Sequence, residues 1–278
     1  MTSDASLVVR GAVLTCTLLA ATLVAPLGHA ARLAIIIDDL GNQRGLGQRA
    51  VRLSAPVAVA VLPHTPFARE LAREAHDRGK EVIVHVPMQP ERSDVALGPG
   101  ALHDAQSQTE FTQTLVTAVT AVPHAAGVSN HMGSLLTRDL RHMTWLMREL
   151  QLRGLFFIDS YTTHLSRGLG VARSYGVPAL KRDVFLDGVV EQAAILVQWE
   201  RLLAIADDTG FAIAIAHPYS ITLTFLEAML PDLDAEVYTV VPLRTLLPGA
   251  GKPERNAAGF DSPDRFRGPA TDALESIE

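Results

Sequence analysis

The chain has 278 residues, with 24 basic and 30 acidic side chains and a formal net charge of −6. Hydrophobic residues make up 48% and aromatics only 5%, so the chain can bury a core, while an acidic surface poor in aromatics speaks against nucleic-acid binding. Its single cysteine, Cys16, falls in the first thirty residues, which excludes disulfides, thiol catalysis and cysteine-ligated zinc from the remainder.

Arg10 precedes an apolar stretch from Gly11 to Leu27, and Gly28-His29-Ala30 offers small residues where a signal peptidase cuts. Residues 1–30 therefore read as a signal peptide, with an uncleaved amino-terminal anchor as the alternative. Export, to a periplasm in the first instance, is expected, with no membrane span after cleavage. Residues 31–247 suffice for one domain. Beyond them, residues 248–278 are rich in Gly, Pro, Ala and charge and read as a flexible polar tail.

Within the body, Leu33-Ala34-Ile35-Ile36-Ile37 ends in Asp38-Asp39, with Gly41 close behind. Such a run predicts a strand buried on both faces of a parallel sheet, with the acids at its carboxyl end. Strict alternation would send the two acids to opposite faces, one toward a metal or substrate and the other toward a supporting partner. Val57–Leu62 is the next strand and leads to His64 between two prolines; Phe67–Arg78 reads as a helix stopped by Gly79. Glu81–Val84 runs into His85, after which Pro87 and Pro90, flanking Gln89, end regular pairing. A helix over Thr109–Val122 precedes the strand Ala126–Val128, which leads into Ser129-Asn130-His131-Met132-Gly133-Ser134. Arg138–Arg153 is apolar at helical spacing and stops at Gly154. Leu155–Ile158 then delivers Asp159, Pro178–Leu180 delivers Lys181-Arg182-Asp183, a helix covers Glu191–Asp208, Phe211–Ala216 ends at His217, and Val237–Val241 is the closing strand.

This alternation specifies parallel βαβ units with right-handed crossovers. The fold expected is α/β, a distorted (β/α) barrel of about seven parallel strands. His64, His85, His131, Asp159, Asp183 and His217 all follow strands, as Asp38 and Asp39 do, and the carboxyl ends of parallel strands meet on one rim. Carboxylate and imidazole without thiolate suit zinc and can also take iron, cobalt, nickel or manganese. Asp39, His85 and His131 are the candidate ligands, Asp38 the general base and His217 the general acid. Gln89, Asn130 and Ser134 are candidates for substrate or oxyanion contact. Asp159 and Asp183 are candidates for orienting the first group, and His64 for a turn or pocket wall.

These same residues carry a family resemblance. Ile36-Ile37-Asp38-Asp39-Leu40-Gly41, Leu62-Pro63-His64-Thr65-Pro66, Val84-His85-Val86-Pro87-Met88-Gln89-Pro90, Gly127 to Ser134, Phe156-Phe157-Ile158-Asp159-Ser160 and Ala216-His217-Pro218 together resemble the divergent polysaccharide deacetylases of bacterial envelopes, relatives of the NodB-type carbohydrate esterases. The resemblance runs in order from about Leu33 to Leu247. It implies a barrel lacking one unit of the eightfold form, with Asp38 as base, Asp39 and His85 on a divalent metal such as zinc, and His217 as acid. Gln89 stands where the wider superfamily has a second histidine, and the arginine-proline-aromatic motif has no counterpart. His131 as third ligand is inferred from chemistry and chain order. The implied reaction is hydrolysis of N- or O-acetyl groups on envelope polysaccharide or a peptidoglycan-derived glycan. The alternative is a weakly active or inactive barrel that binds glycan or regulates peptidoglycan enzymes through an envelope protein partner.

Overall fold

The computed structural model describes residues 30–249 apart from Ser93. Residues 1–29 of the expected signal peptide and 250–278 of the expected tail lie outside the described residues. Strands are β1 (Ala31–Leu40), β2 (Ala58–Val61), β3 (Glu81–Met88), β4 (Ala125–Met132), β5 (Phe156–Asp159), β6 (Ala179–Lys181), β7 (Val184–Phe185), β8 (Phe211–Ala216) and β9 (Tyr238–Val240). Helices are α1 (Arg44–Val51), α2 (Ala68–Asp77), α3 (Gln108–Ala121), α4 (Leu140–Arg153), α5 (Gly168–Ser174), α6 (Gln192–Thr209) and α7 (Ser220–Met229). Among the described residues, no helix is long and apolar enough to cross a membrane.

The strands pair in the order β6-β5-β4-β3-β2-β1-β8-β7, all parallel, with β9 beside the start of β1. The two ends of this order are consecutive in the chain. Arg182 N–H donates to Asp159 O on β5, and Asp183 N–H donates to Ile213 O on β8. One extended segment, 179–185, thus leaves β5 and joins β8, closing the seam with β6 and β7 as a single stave. Seven staves result, in the expected α/β barrel, bent at this seam.

Side-chain parity divides the core into two layers. Ala34, Ile36, Ala58, Ala60, Ile83, Phe156, Ile158, Ile213 and Ile215 form the barrel interior together with Leu243, Leu246 and Leu247. Their alternates, including Leu33, Ile35, Ile37, Val59, Val61, Val82, Val84, Val128 and Phe157, pack beneath the helices. Gly127 is required inside: a Cβ there would lie 2.3 Å from the Phe156 ring. The amino end of the barrel is closed by the turn Leu243–Leu246, where Arg244 donates from its backbone N–H and its Nε to the buried Glu81 carboxylate, at 3.1 and 2.7 Å. The opposite end is left for chemistry.

Candidate active site at the carboxyl rim

Continuing the inward parity upward gives Asp38 after Ile36, His85 after Ile83, Ser129 and His131 after Gly127, and His217 after Ile215. Asp39 should then face outward, and here the structure corrects the expectation. Its φ is 59°, and the β1–β2 register slips between Ile37 and Leu40. A left-handed residue next to an irregular ladder re-aims the side chain, and Asp tolerates that conformation better than most. Both carboxylates therefore converge on one imidazole: His85 Nε2 lies 3.5 Å from Asp38 Oδ2 and 3.3 Å from Asp39 Oδ1.

His131 completes the cluster, its Nδ1 2.8 Å from Asp39 Oδ1 and its ring edge-on to His85 at 5.0 Å. The three ligand atoms of Asp39, His85 and His131 lie within 4.8 Å of one another. Asp39 Oδ1 is buried and, despite these short contacts, has no hydrogen-bond partner among the described residues. Such spacing is close to the roughly 3.3 Å edges of a tetrahedron around zinc. Donor set, separation and orphaned oxygen all fit a divalent cation. His85 Nδ1 pairs with Ser129 Oγ at 2.7 Å, in direct register across β3 and β4. With Nδ1 donating there, the Nε2 lone pair faces the acids.

The two acids are held differently. Burial pushes the Asp39 carboxyl up, but the imidazoles of His131 and His85 outweigh it and hold it well below the ordinary value. Asp38 goes the other way: burial raises it despite the pull of His85 and His217. Its Oδ1 is buried and lacks a hydrogen-bond partner among the described residues. A carboxylate with a raised pKa and a free lone pair suits proton abstraction.

His217 is gripped by Asp187, which sequence reasoning passed over. Asp187 is buried and accepts from His217 N–H at 2.7 Å and from Thr222 Oγ at 2.9 Å, while its Oδ1 lies 2.8 Å from His217 Nδ1. Burial pushes the imidazole down, but the Asp187 hydrogen bond and charge, with Asp39 and Asp38 behind, raise it to about 9. It is therefore protonated at neutral pH, the state that general-acid chemistry requires. The missed signal was the run Val184-Phe185-Leu186-Asp187-Gly188, which repeats the pattern of an apolar run ending in an acid.

The remaining candidates have local partners. Asn130 accepts from Ser160 N–H at 2.9 Å and donates to Met132 O at 2.7 Å, locking β4 to β5. Ser134 Oγ accepts from Glu91 N–H at 3.0 Å, and Gln89 Oε1 from Asp104 N–H at 2.9 Å, so both shape the loop after β3. Asp159, on the outward parity, accepts from Tyr161 N–H and Ser166 Oγ at 2.9 and 2.6 Å under α5. Asp183 Oδ2 accepts from Ile213 N–H at 2.9 Å in the barrel seam. His64 is exposed with φ of 61°, in a surface groove beside Gly100, Gln106 and Glu110. It stands outside the converging group.

The chain is 36% identical over 243 residues to the uncharacterized protein YibQ of Escherichia coli K12, covering 86% of this chain and 76% of that protein. It is 37% identical over 209 residues to an uncharacterized protein of Haemophilus influenzae KW20, covering 75% and 74%. In fold it is similar to the crystal structure of the uncharacterized protein ATU2773 of Agrobacterium tumefaciens C58, with a TM-score of 0.75 at 24% identity, over 78% of this chain and 89% of that one. The family model for divergent polysaccharide deacetylases matches residues 35–247, from within β1 to the closing turn, and the chain belongs to that family.

Proposed function

We propose that this protein is an exported, metal-dependent hydrolase that removes N- or O-acetyl groups from envelope polysaccharide or peptidoglycan-derived glycan. The observation that carries the reading is the convergence of Asp39, His85 and His131 around one point, with Asp38 against the same imidazole. A divalent cation, zinc in the first instance, would supply Lewis acidity toward a water and the substrate carbonyl. Asp38 takes the proton from the attacking water through its free Oδ1. His217 gives its proton to the departing nitrogen or oxygen, and Asp187 holds it in the charged form until then. Ser129 keeps His85 turned so that Nε2, not Nδ1, faces the pocket. Gln89 is no obstacle to this reading, because His131 supplies the second imidazole.

The test is acetate release from N- and O-acetylated glycans by the zinc-loaded chain. Release that disappears in Asp38→Asn and survives in His76→Ala, on the outer face of α2, supports the proposal. A metal-loaded chain that releases no acetate but retains the glycan would favour the binding-barrel alternative. Export is tested by locating the protein in fractionated cells.

A further inference from the structure

The amino end of α4 carries a second group of metal-type side chains, apart from the rim cluster. Asp104 lies in the loop between β3 and α3, Asp139 is the N-cap of α4, and His142 follows within the first helical turn. Asp139 divides its labour: Oδ1 accepts the backbone N–H of Arg141 and His142 at 2.6 and 3.3 Å, while Oδ2 lies 3.3 Å from His142 Nδ1. Asp104 Oδ1 stands 3.7 Å from the same nitrogen. The ligand atoms of all three residues fall within 4.8 Å of one another.

Acidic groups at a helix start are common, but His142 is not an ordinary neighbour. It is 0% exposed, and neither ring nitrogen has a hydrogen-bond partner among the described residues. Buried polar groups are rarely left this way, since an imidazole always has a proton or a lone pair to satisfy at each nitrogen. The rings of Phe111 and Trp145 hold it at 5.5 and 5.0 Å and leave Nδ1 facing the two carboxylates. Its separations from them match the roughly 3.3 Å ligand–ligand edges of a tetrahedral zinc site. One competitor is present: Arg141 Nη2 lies 3.4 Å from Asp104 Oδ1 and 3.7 Å from Asp139 Oδ2. Its side chain is 57% exposed and can swing into solvent when a doubly charged ion enters.

We propose that Asp104, Asp139 and His142 bind a second divalent cation of the zinc class, clamping the β3–α3 loop to the start of α4. One imidazole nitrogen with two carboxylate oxygens selects zinc-like ions over calcium or magnesium, which prefer oxygen alone. The clamp joins the segments that leave β3 and β4, the strands bearing His85 and His131. Asp104 N–H already bonds Gln89 Oε1 at 2.9 Å, so fixing Asp104 also fixes the chain directly after β3. The site thereby braces the rim from outside.

The experiment is a zinc titration of the full chain after stripping with a chelator, counting tightly bound metal per chain by elemental analysis. Two equivalents are expected for the wild type, and one each for Asp104→Asn and for His142→Phe, which preserves packing against Phe111 and Trp145. The pair Asp39→Asn/His131→Gln is expected to keep one equivalent and to lose it when Asp104→Asn is added. A folded Asp104→Asn chain with wild-type zinc content overturns the proposal, and Asp104, half-exposed, can be changed without touching the core. A rim variant that binds no zinc overturns it equally. If the wild type binds one equivalent that Asp104→Asn removes, the outer site stands and the rim site is the one that fails.

Discussion

Replacing Asp187 by Asn separates His217, the proposed proton donor, from its support without emptying the space. In the wild type, Asp187 takes two hydrogen bonds from backbone and hydroxyl donors and faces His217 Nδ1 at 2.8 Å, and the imidazole is raised to about 9. An amide has one acceptor oxygen and no charge, so the imidazole falls back to about the ordinary 6.5 or lower under burial. At pH 7.5 the protonated fraction then drops from nearly all to about one in eleven, and kcat should fall about tenfold, whereas at pH 5.5 the loss should stay within about twofold. The assay is acetate release across pH 5–10, with the falling alkaline limb moving from about 9 toward about 6.5. The same shift appears in stability. Because the folded value lies above the unfolded one, the pair stabilises fully below about pH 6.5, and its contribution is lost as pH rises through about 9. The melting-temperature advantage of wild type over variant should therefore be larger at pH 6 than at pH 9.5. An alkaline limb that does not move, or an equal loss at every pH, would refute the role given to Asp187.

Three further outcomes are expected. Ser129→Ala removes the partner of His85 Nδ1 and should weaken zinc binding about 10–100-fold with little change in fold, read by competition with a chromophoric chelator. Gly127→Ala drives a methyl into the Phe156 ring and should cost about 1–3 kcal/mol in denaturant unfolding, through strain in the barrel interior alone. Asp183→Ala leaves the Ile213 N–H without its side-chain acceptor in the seam and should cost about 1–3 kcal/mol, with zinc content unchanged.

Much of this architecture could be read from residue order because parallel strands buried on both faces announce themselves as apolar runs. Phe211–Ala216 matches its expected span, and Ala31–Leu40 extends the expected run at both ends. The convergence of Asp39, His85 and His131 was legible for a related reason: strands that begin at one end of a barrel must deliver them to the other. Helices α5 and α7 escaped, and so did three further features. The orientation of Asp39 depends on a left-handed residue, which alternation cannot foresee. Asp187 was hidden because β7 has two residues and its partner strand lies thirty residues on. Helix α1, with Gly45 and Gly47 in eight residues, lacks an apolar period. Gly47 is there because a Cβ would meet the Leu71 side chain of α2 at 2.4 Å, a reason visible only after packing. Gln89 Oε1, the Asn130 amide and Ser134 Oγ each engage neighbouring backbone, contacts that residue order alone does not reveal.

The central claim is that Asp39, His85 and His131 form a metal pocket at the barrel rim. Its most direct test is zinc content per chain in wild type, Asp39→Asn, His85→Gln and His131→Gln, each first shown to unfold cooperatively. Each substitution is expected to remove one tightly bound equivalent, with the wild-type value restored by none of them at stoichiometric zinc. Folded variants that all keep the wild-type zinc content would contradict the account.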